Sequence, residues 1–243
     1  MACDIVRPAD GEVRLPSGAG LTDYDGIAIT GSALNIYDGG EHIERQVELA
    51  RAVFATAVPF FGSCWGLQVA VTAAGGRVRA NPLGREFGFA RRIELGEAGR
   101  THPMYRGKPP VFEAVTVHRD DIEQLPAGAV PLAGNDMGLQ AVELRFGRGI
   151  FWGVQYHPEY SYAEIAATAV RYATVLTNEK LFTGRAELEA FVSELRQLQQ
   201  NPWDRRLTWK HGLGLAMQDE RIKLAELRNW LELQVTPFYQ RRH

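Results

Sequence analysis

Cysteine is scarce: Cys3 and Cys64 are the only two in 243 residues. That is too few for a disulfide framework and leaves Cys64 available as a thiol. No Cys or His cluster has metal-ligand spacing, so no metal is expected, and no sequence feature calls for a cofactor. A G-x-x-x-x-G-K-[ST] phosphate loop is also missing, which removes one device for activating an acceptor with ATP. No apolar run approaches the ~20 residues that cross a bilayer. The opening stretch MACDIVRPADGE has neither the basic nor the apolar region of a secretion signal, so a cytoplasmic location without membrane contact is expected. Excess charge is absent too. A net charge of −2 and a pI near 6.3 give no electrostatic reason to expect nucleic acid.

What remains is the composition of an ordinary folded chain, 45% hydrophobic and 23% charged, long enough for one α/β domain and an appendage. Its most informative stretch is Ala57 to Gly76, AVPFFGSCWGLQVAVTAAGG. Val58 to Phe61 predicts a strand and Trp65 to Ala74 a helix, with Gly75 and Gly76 as the stop. Gly62-Ser63-Cys64-Trp65-Gly66 is the cysteine form of the nucleophile elbow, in which the flanking positions must be nearly free of side chain. Such a turn aims the sulfur along the positive end of a helix, which favours the attacking thiolate. The other reading of Cys64 is a small buried apolar residue.

A nucleophilic cysteine needs a base, and the base works best when a third group orients it. Downstream, Gly153-Val154-Gln155-Tyr156-His157-Pro158-Glu159 follows the apolar run Ile150 to Val154. His157 and Glu159 are two apart, which in extended chain puts both on one side, and Pro158 restricts the backbone between them.

GSCWGLQ followed by GVQYHPE resembles the class I, triad-type glutamine amidotransferases, and the domain is similar to the glutaminase domain of GMP synthases. Ile29-Thr30-Gly31-Ser32 resembles the family's oxyanion loop and Val117-His118-Arg119-Asp120 its H-x-D segment, ahead of Leu125-Pro126. Asn81-Pro82 and then Glu86-Phe87-Gly88 resemble the strand lead-in after the nucleophile helix. The resemblance implies a catalytic triad of Cys64, His157 and Glu159, with oxyanion donors at the backbone N–H groups of Ser32 and Trp65. It also implies a substrate-binding set of Gly31, Gln68 and His118. Read from the residues alone, Ser32 serves equally well as a plain cap. Gln68 is a helix-surface glutamine one turn above Cys64, and His118 is a structural hydrogen-bonder lining the pocket.

By the same resemblance the substrate is L-glutamine, and the ammonia goes to a separate synthase subunit or to no acceptor at all. Three functions compete: a stand-alone glutamine amidotransferase subunit, which comes first, then a γ-glutamyl amide hydrolase without acceptor, then an inactive interaction module.

The expected fold is α/β, a mostly parallel, doubly wound, flavodoxin-like sheet with antiparallel edge strands, followed by a helical appendage. Residues 1–178 form the amidotransferase domain and 179–243 the extension. Cys3 to Val6 predicts a strand and Tyr24 to Thr30 another. Related domains carry a further strand and helix before the first of these. Their absence is expected to leave a gap beside the Cys64 strand, unless the start lies upstream or another element fills the slot. Ile43, Val47, Ala50 and Phe54 predict an amphipathic helix. The runs at 87–89, 111–117, 130–133, 139–144 and 150–154 predict antiparallel strands returning to the H-P-E loop. Ala163 to Leu176 predicts a closing helix. In the tail, Leu188, Phe191, Leu195 and Leu198 share a helical face, Asn201-Pro202 predicts a helix start, and a helix from Asp219 to Val235 ends at Pro237. These helices are expected to pack on the parent domain or to form a homo-oligomer.

Overall fold

A computed structural model describes residues 2–11 and 13–242. Its strands are β1 (Ile27–Ile29), β2 (Phe60–Ser63), β3 (Arg77–Ala80), β4 (Glu86–Leu95), β5 (Val111–His118), β6 (Asp120–Gln124), β7 (Val130–Asn135), β8 (Gly138–Phe146) and β9 (Gly149–Val154). Seven of them form one sheet in the order β1-β2-β9-β8-β7-β4-β5, and β3 and β6 pair apart as a ribbon. The first three strands run parallel and the rest add on antiparallel. This is the α/β fold expected, with the predicted antiparallel runs in place.

Period-two alternation sends neighbouring aromatic residues to opposite faces. Phe60 and Phe151 join Ile43, Val47, Ala50 and Phe54 of α1 (Glu41–Ala55) and Leu67 of α2 (Trp65–Ala73) on one face. Phe61 and Trp152 go to the other, with Tyr105, Phe112, Trp230 and Val235. The helix α3 (Glu97–Thr101) closes the β4–β5 connection. A third cluster joins Val115 of β5 to α4 (Tyr162–Arg171), α5 (Ala173–Asn178), α6 (Arg185–Gln200) and α7 (Arg205–His211). The chain ends in α8 (Leu215–Gln218), α9 (Glu220–Lys223), α10 (Ala225–Trp230), a π turn at Leu231–Val235, and α11 (Thr236–Arg242). Among the described residues, no helix is long and apolar enough to cross a membrane.

Several local expectations fail. Cys3 to Val6 is irregular, with Ile5 84% exposed, because no strand lies beside it to complete its backbone hydrogen bonds. No gap stands beside the Cys64 strand: β2 is bonded to β1 on one side and β9 on the other. The face there is covered by the C-terminal helices, with Phe61 and Trp230 ring centroids 5.7 Å apart. The closing helix breaks at Tyr172 into α4 and α5. Asn201-Pro202 does not start a helix. Asn201 is the C-cap of α6, and Asp204 caps α7 by accepting from the Leu207 N–H at 3.1 Å. Pro237 does not stop the last helix. The π turn just before it widens the backbone where proline's missing donor and ring would otherwise disrupt an α-helix.

Candidate active site

Strand β2 ends at Ser63, and the next residue turns into α2 through a left-handed conformation, Cys64 having φ +51° and ψ −104°. A non-glycine residue held there is strained, and such strain concentrates at functional positions. One hydrogen bond holds the turn, and two glycines make room for it. The Cys64 N–H donates to the Val154 carbonyl at 2.8 Å, tying the turn to β9. A methyl group on Gly66 would sit 2.1 Å from the Ile29 carbonyl oxygen, and one on Gly62 would sit 2.6 Å from the Gly66 carbonyl carbon. The glycines therefore let α2 lie directly against β1 and β2. Trp65 anchors the helix by donating its indole N–H to Gln46 Oε1 at 2.7 Å. The thiol of Cys64 is nearly buried at 4% exposure and points 3.5 Å from the Val117 carbonyl oxygen.

The loop after β9 brings His157 beside this sulfur. The His157 N–H donates to the Val115 carbonyl at 2.8 Å, and ring nitrogen Nδ1 lies 2.9 Å from Glu159 Oε1. The same carboxylate oxygen accepts from the Ser63 hydroxyl at 2.9 Å. Nδ1 facing a carboxylate carries the proton, which leaves the Nε2 edge for the sulfur. Burial opposes an imidazolium here, yet Cys64 and then Glu159 raise the His157 pKa to about 10. Tyr160 covers one face of the ring, with centroids 4.1 Å apart and planes 21° apart.

Gly31 abuts this imidazole: a methyl group there would sit 2.6 Å from His157 Cε1. The Ser32 hydroxyl accepts from the Leu34 N–H at 3.3 Å, while the Ser32 N–H meets no acceptor among the described residues. The Trp65 N–H opens the first turn of α2, where no intrahelical acceptor exists. Gln68 is buried one turn above Cys64. The loop beyond Ser32 is pinned where the Tyr37 hydroxyl donates to Asp120 Oδ1 at 2.8 Å. Burial first, and then that carboxylate, push the Tyr37 pKa up to about 12.

His118 is placed differently. Its Nδ1 lies 2.9 Å from the Asp120 carbonyl oxygen and its Nε2 lies 2.8 Å from Glu86 Oε2, so neither nitrogen is left for a ligand. Glu86 also accepts from Asn135 at 2.7 Å and from Gln140 at 3.0 Å. Burial alone would raise the Glu86 pKa, but His118, Asn135 and Gln140 together lower it.

Sequence reasoning missed Ser63, Tyr160 and the Val117 carbonyl. The first two adjoin Cys64 and Glu159 in sequence, and that adjacency was the available signal. Among the described residues, no group of three or more His, Cys, Asp or Glu side chains is placed to hold a metal. The arrangement as a whole suits attack by sulfur on a carbonyl carbon, with a buried base alongside and backbone donors at a helix N-terminus.

The family model "Glutamine amidotransferase class-I" matches residues 3–171. A γ-glutamyl-L-1-hydroxyisopropylamide hydrolase from a Pseudomonas species is 36% identical over 98% of this chain and 81% of its own length. One component of a glutamine-hydrolysing GMP synthase, from Methanoculleus marisnigri, is 33% identical over 52% of this chain and 65% of its own, just under two thirds. Among solved structures, a glutamine amidotransferase from Thermotoga maritima superposes with a TM-score of 0.58. At 19% identity it covers 94% of this chain and 84% of its own, and so speaks to the fold alone.

Proposed function

Because the chain belongs to the class-I glutamine amidotransferase family, we propose that it hydrolyses a γ-glutamyl amide through a thioester on Cys64. His157 serves as base and then acid, and Glu159 as the group that orients it. The observation that carries this reading is the convergence of a strained Cys64 at a helix start with a His157 ring held at 2.9 Å by Glu159.

Sulfur attacks the γ-carbonyl carbon, and the oxyanion is met by the N–H groups of Ser32 and Trp65. The C–N bond then breaks as His157 passes its proton to the departing nitrogen. Water adds to the thioester as His157 takes a proton back, and cleavage of the C–S bond releases glutamate. Gln68 presents its amide to the glutamyl part of the substrate, and Gly31 keeps the base in place by leaving room for its ring.

The sequence alone ranked L-glutamine and an ammonia acceptor first. The relative aligned over 98% of the chain, through the C-terminal helices as well as the α/β core, is a hydrolase of an N-substituted γ-glutamyl amide, and it supports that substrate class. The departing group is then an amine released to solvent, and no synthase is required. The second reading is ammonia delivery to a separate synthase subunit, favoured by the likeness to the GMP synthase component.

Glutamate release decides between them, measured on L-glutamine and on γ-glutamyl N-alkylamides with Cys64→Ala as control. Turnover of the alkylamides at least about tenfold above glutamine in kcat/KM, a gap of about 1.4 kcal/mol, is the expected result. Glutamine as the better substrate would support the second reading, and release that survives Cys64→Ala would overturn both.

A further inference from the structure

The stretch Tyr156 to Tyr160 carries His157 and Glu159, and both of its ends are fastened to the C-terminal helices. At the leading end the Tyr156 hydroxyl donates to Glu226 Oε1 at 2.6 Å. Glu226 and Lys108 form an ion pair at 2.9 Å with side chains 0% and 1% exposed. The Lys108 ammonium also donates to the carbonyls of Ile222 and Lys223, at 3.0 and 3.2 Å. At the trailing end the Lys223 ammonium donates to the Tyr160 carbonyl at 2.8 Å, and the ring of Tyr160 lies flat on His157.

We propose that the junction of α9 and α10 clamps the catalytic loop, with Lys223 and Glu226 as positioning residues that set the His157 ring against Cys64. The geometry stands by itself, and only the word catalytic rests on the amide-hydrolysis reading. Glu159 fixes one edge of the imidazole and Gly31 leaves room for another, so the motion left to the ring is out of its own plane. Tyr160 blocks that motion on one side, and Tyr160 is itself held by its N–H on the His157 carbonyl at 3.3 Å and by Lys223 on its own carbonyl. Lys223 is in turn steadied where Lys108 holds its backbone. A buried ion pair such as Lys108–Glu226 is a poor source of net stability compared with apolar packing, so its retention fits a role in fixing direction. The matched family region ends at residue 171, so Lys223 and Glu226 lie outside it while their partners Lys108, Tyr156 and Tyr160 lie within it.

Around the clamp, Tyr156 faces Glu226 and Tyr105 faces Tyr156, their hydroxyls 3.0 Å apart. Cys64 and Glu159 face His157, and the same two with Glu164 and Arg171 surround Tyr160. Glu220, Glu164, Glu159 and Lys108 surround Lys223. Removing the Lys223 charge therefore alters both the field at Glu159 and the seat of Tyr160.

The test uses the full chain in a Cys3→Ser background, so that Cys64 is the reacting thiol, and follows its alkylation by iodoacetamide across pH. This readout needs no substrate. For Lys223→Met the midpoint of the alkylation profile is expected to move by at least about half a pH unit. On whichever γ-glutamyl amide the wild type turns over, kcat is expected to fall about tenfold with KM little changed. Lys223→Arg should restore both. Glu226→Gln should shift the profile further, and its melting is followed because Lys108 is left unpaired. If that variant does not fold, Lys223→Met decides alone. A Lys223→Met profile superimposable on the wild type overturns the clamp. A shifted profile in a protein whose wild type hydrolyses no γ-glutamyl amide sustains the clamp and sinks the hydrolase reading.

Discussion

Two histidine–glutamate pairs lie close to Cys64, and they are bonded in opposite ways. His157 commits Nδ1 to Glu159 and turns its other edge toward Cys64 and Gly31. His118, whose neighbour Val117 offers its carbonyl to the Cys64 thiol, commits Nδ1 to the Asp120 carbonyl and Nε2 to Glu86. A carbonyl only accepts, so the His118 Nδ1 donates to Asp120, and Nε2 is taken up by Glu86. The comparison teaches that proximity to a thiol does not make a base. What differs is the second nitrogen, which His157 turns toward Cys64 and His118 gives to Glu86.

The sharpest way to break this contrast is to remove each ring in turn. His157→Gln is expected to lower kcat/KM for the γ-glutamyl amide by about 10³-fold or more, because sulfur loses its proton acceptor and the leaving nitrogen its donor. Its melting temperature should change little. His118→Gln is expected to do the reverse. Activity should stay within about tenfold, while stability falls by about 1–3 kcal/mol as Glu86 loses its main partner in a dry site. Equal losses of activity in the two variants would erase the distinction.

Much of the first pair and little of the second was legible in the sequence, and the reason is distance along the chain. Cys64 between Gly62 and Gly66, and His157 two residues from Glu159, are local patterns that the backbone converts directly into geometry. The partners of His118 are not local: Glu86 arrives from another strand, and nothing at either position announces the other. Lys223 reaches Tyr160 from 63 residues away. Local rules also failed where tertiary contacts overrode them. Asn201-Pro202 has the form of a helix start yet closes the preceding helix, and Pro237 sits inside a helical run because a π turn precedes it. The strand expected at Cys3 to Val6 needed a neighbour that its own sequence could not specify.

A smaller effect sharpens the contrast from the side of space. Gly31 leaves room for the His157 ring, and among the described residues no glycine stands in the same relation to His118. In Gly31→Ala the added methyl would meet Cε1 at 2.6 Å, so the ring or the loop must shift by several tenths of an ångström. A displacement approaching 1 Å costs about 10²-fold in rate. The expected result is a fall of about 10–100-fold in kcat with a melting temperature close to wild type. Unchanged kcat would mean that the loop carrying Gly31, not the ring, gives way.

The smallest effect concerns a third pair, which extends the rule beyond the neighbourhood of Cys64. His102 accepts the Met104 N–H on Nδ1 at 3.2 Å and presents Nε2 to Glu143 at 3.1 Å, so both its nitrogens are used. The contact with His102, and behind it those with Arg145 and Trp152, hold the Glu143 carboxyl down to about 2 although burial opposes this. A carboxylate whose folded pKa lies below its unfolded value of 4.5 stabilises the fold above that value. The contribution is lost as pH falls through the folded value, because the unfolded chain takes up protons first. Glu143→Gln should therefore lower the melting temperature at pH 7 by about 2–4 °C, which corresponds to about 1 kcal/mol after allowance for partial solvent screening. The gap between wild type and variant should narrow steadily from pH 4.5 towards pH 2. The proposed hydrolysis at Cys64 should be untouched, since Glu143 lies on β8 opposite Trp152 within β9, and Cys64 and His157 lie beyond the C-terminal ends of β2 and β9. A gap that stayed constant with pH would show that the carboxyl is not ionised where its three partners require it to be.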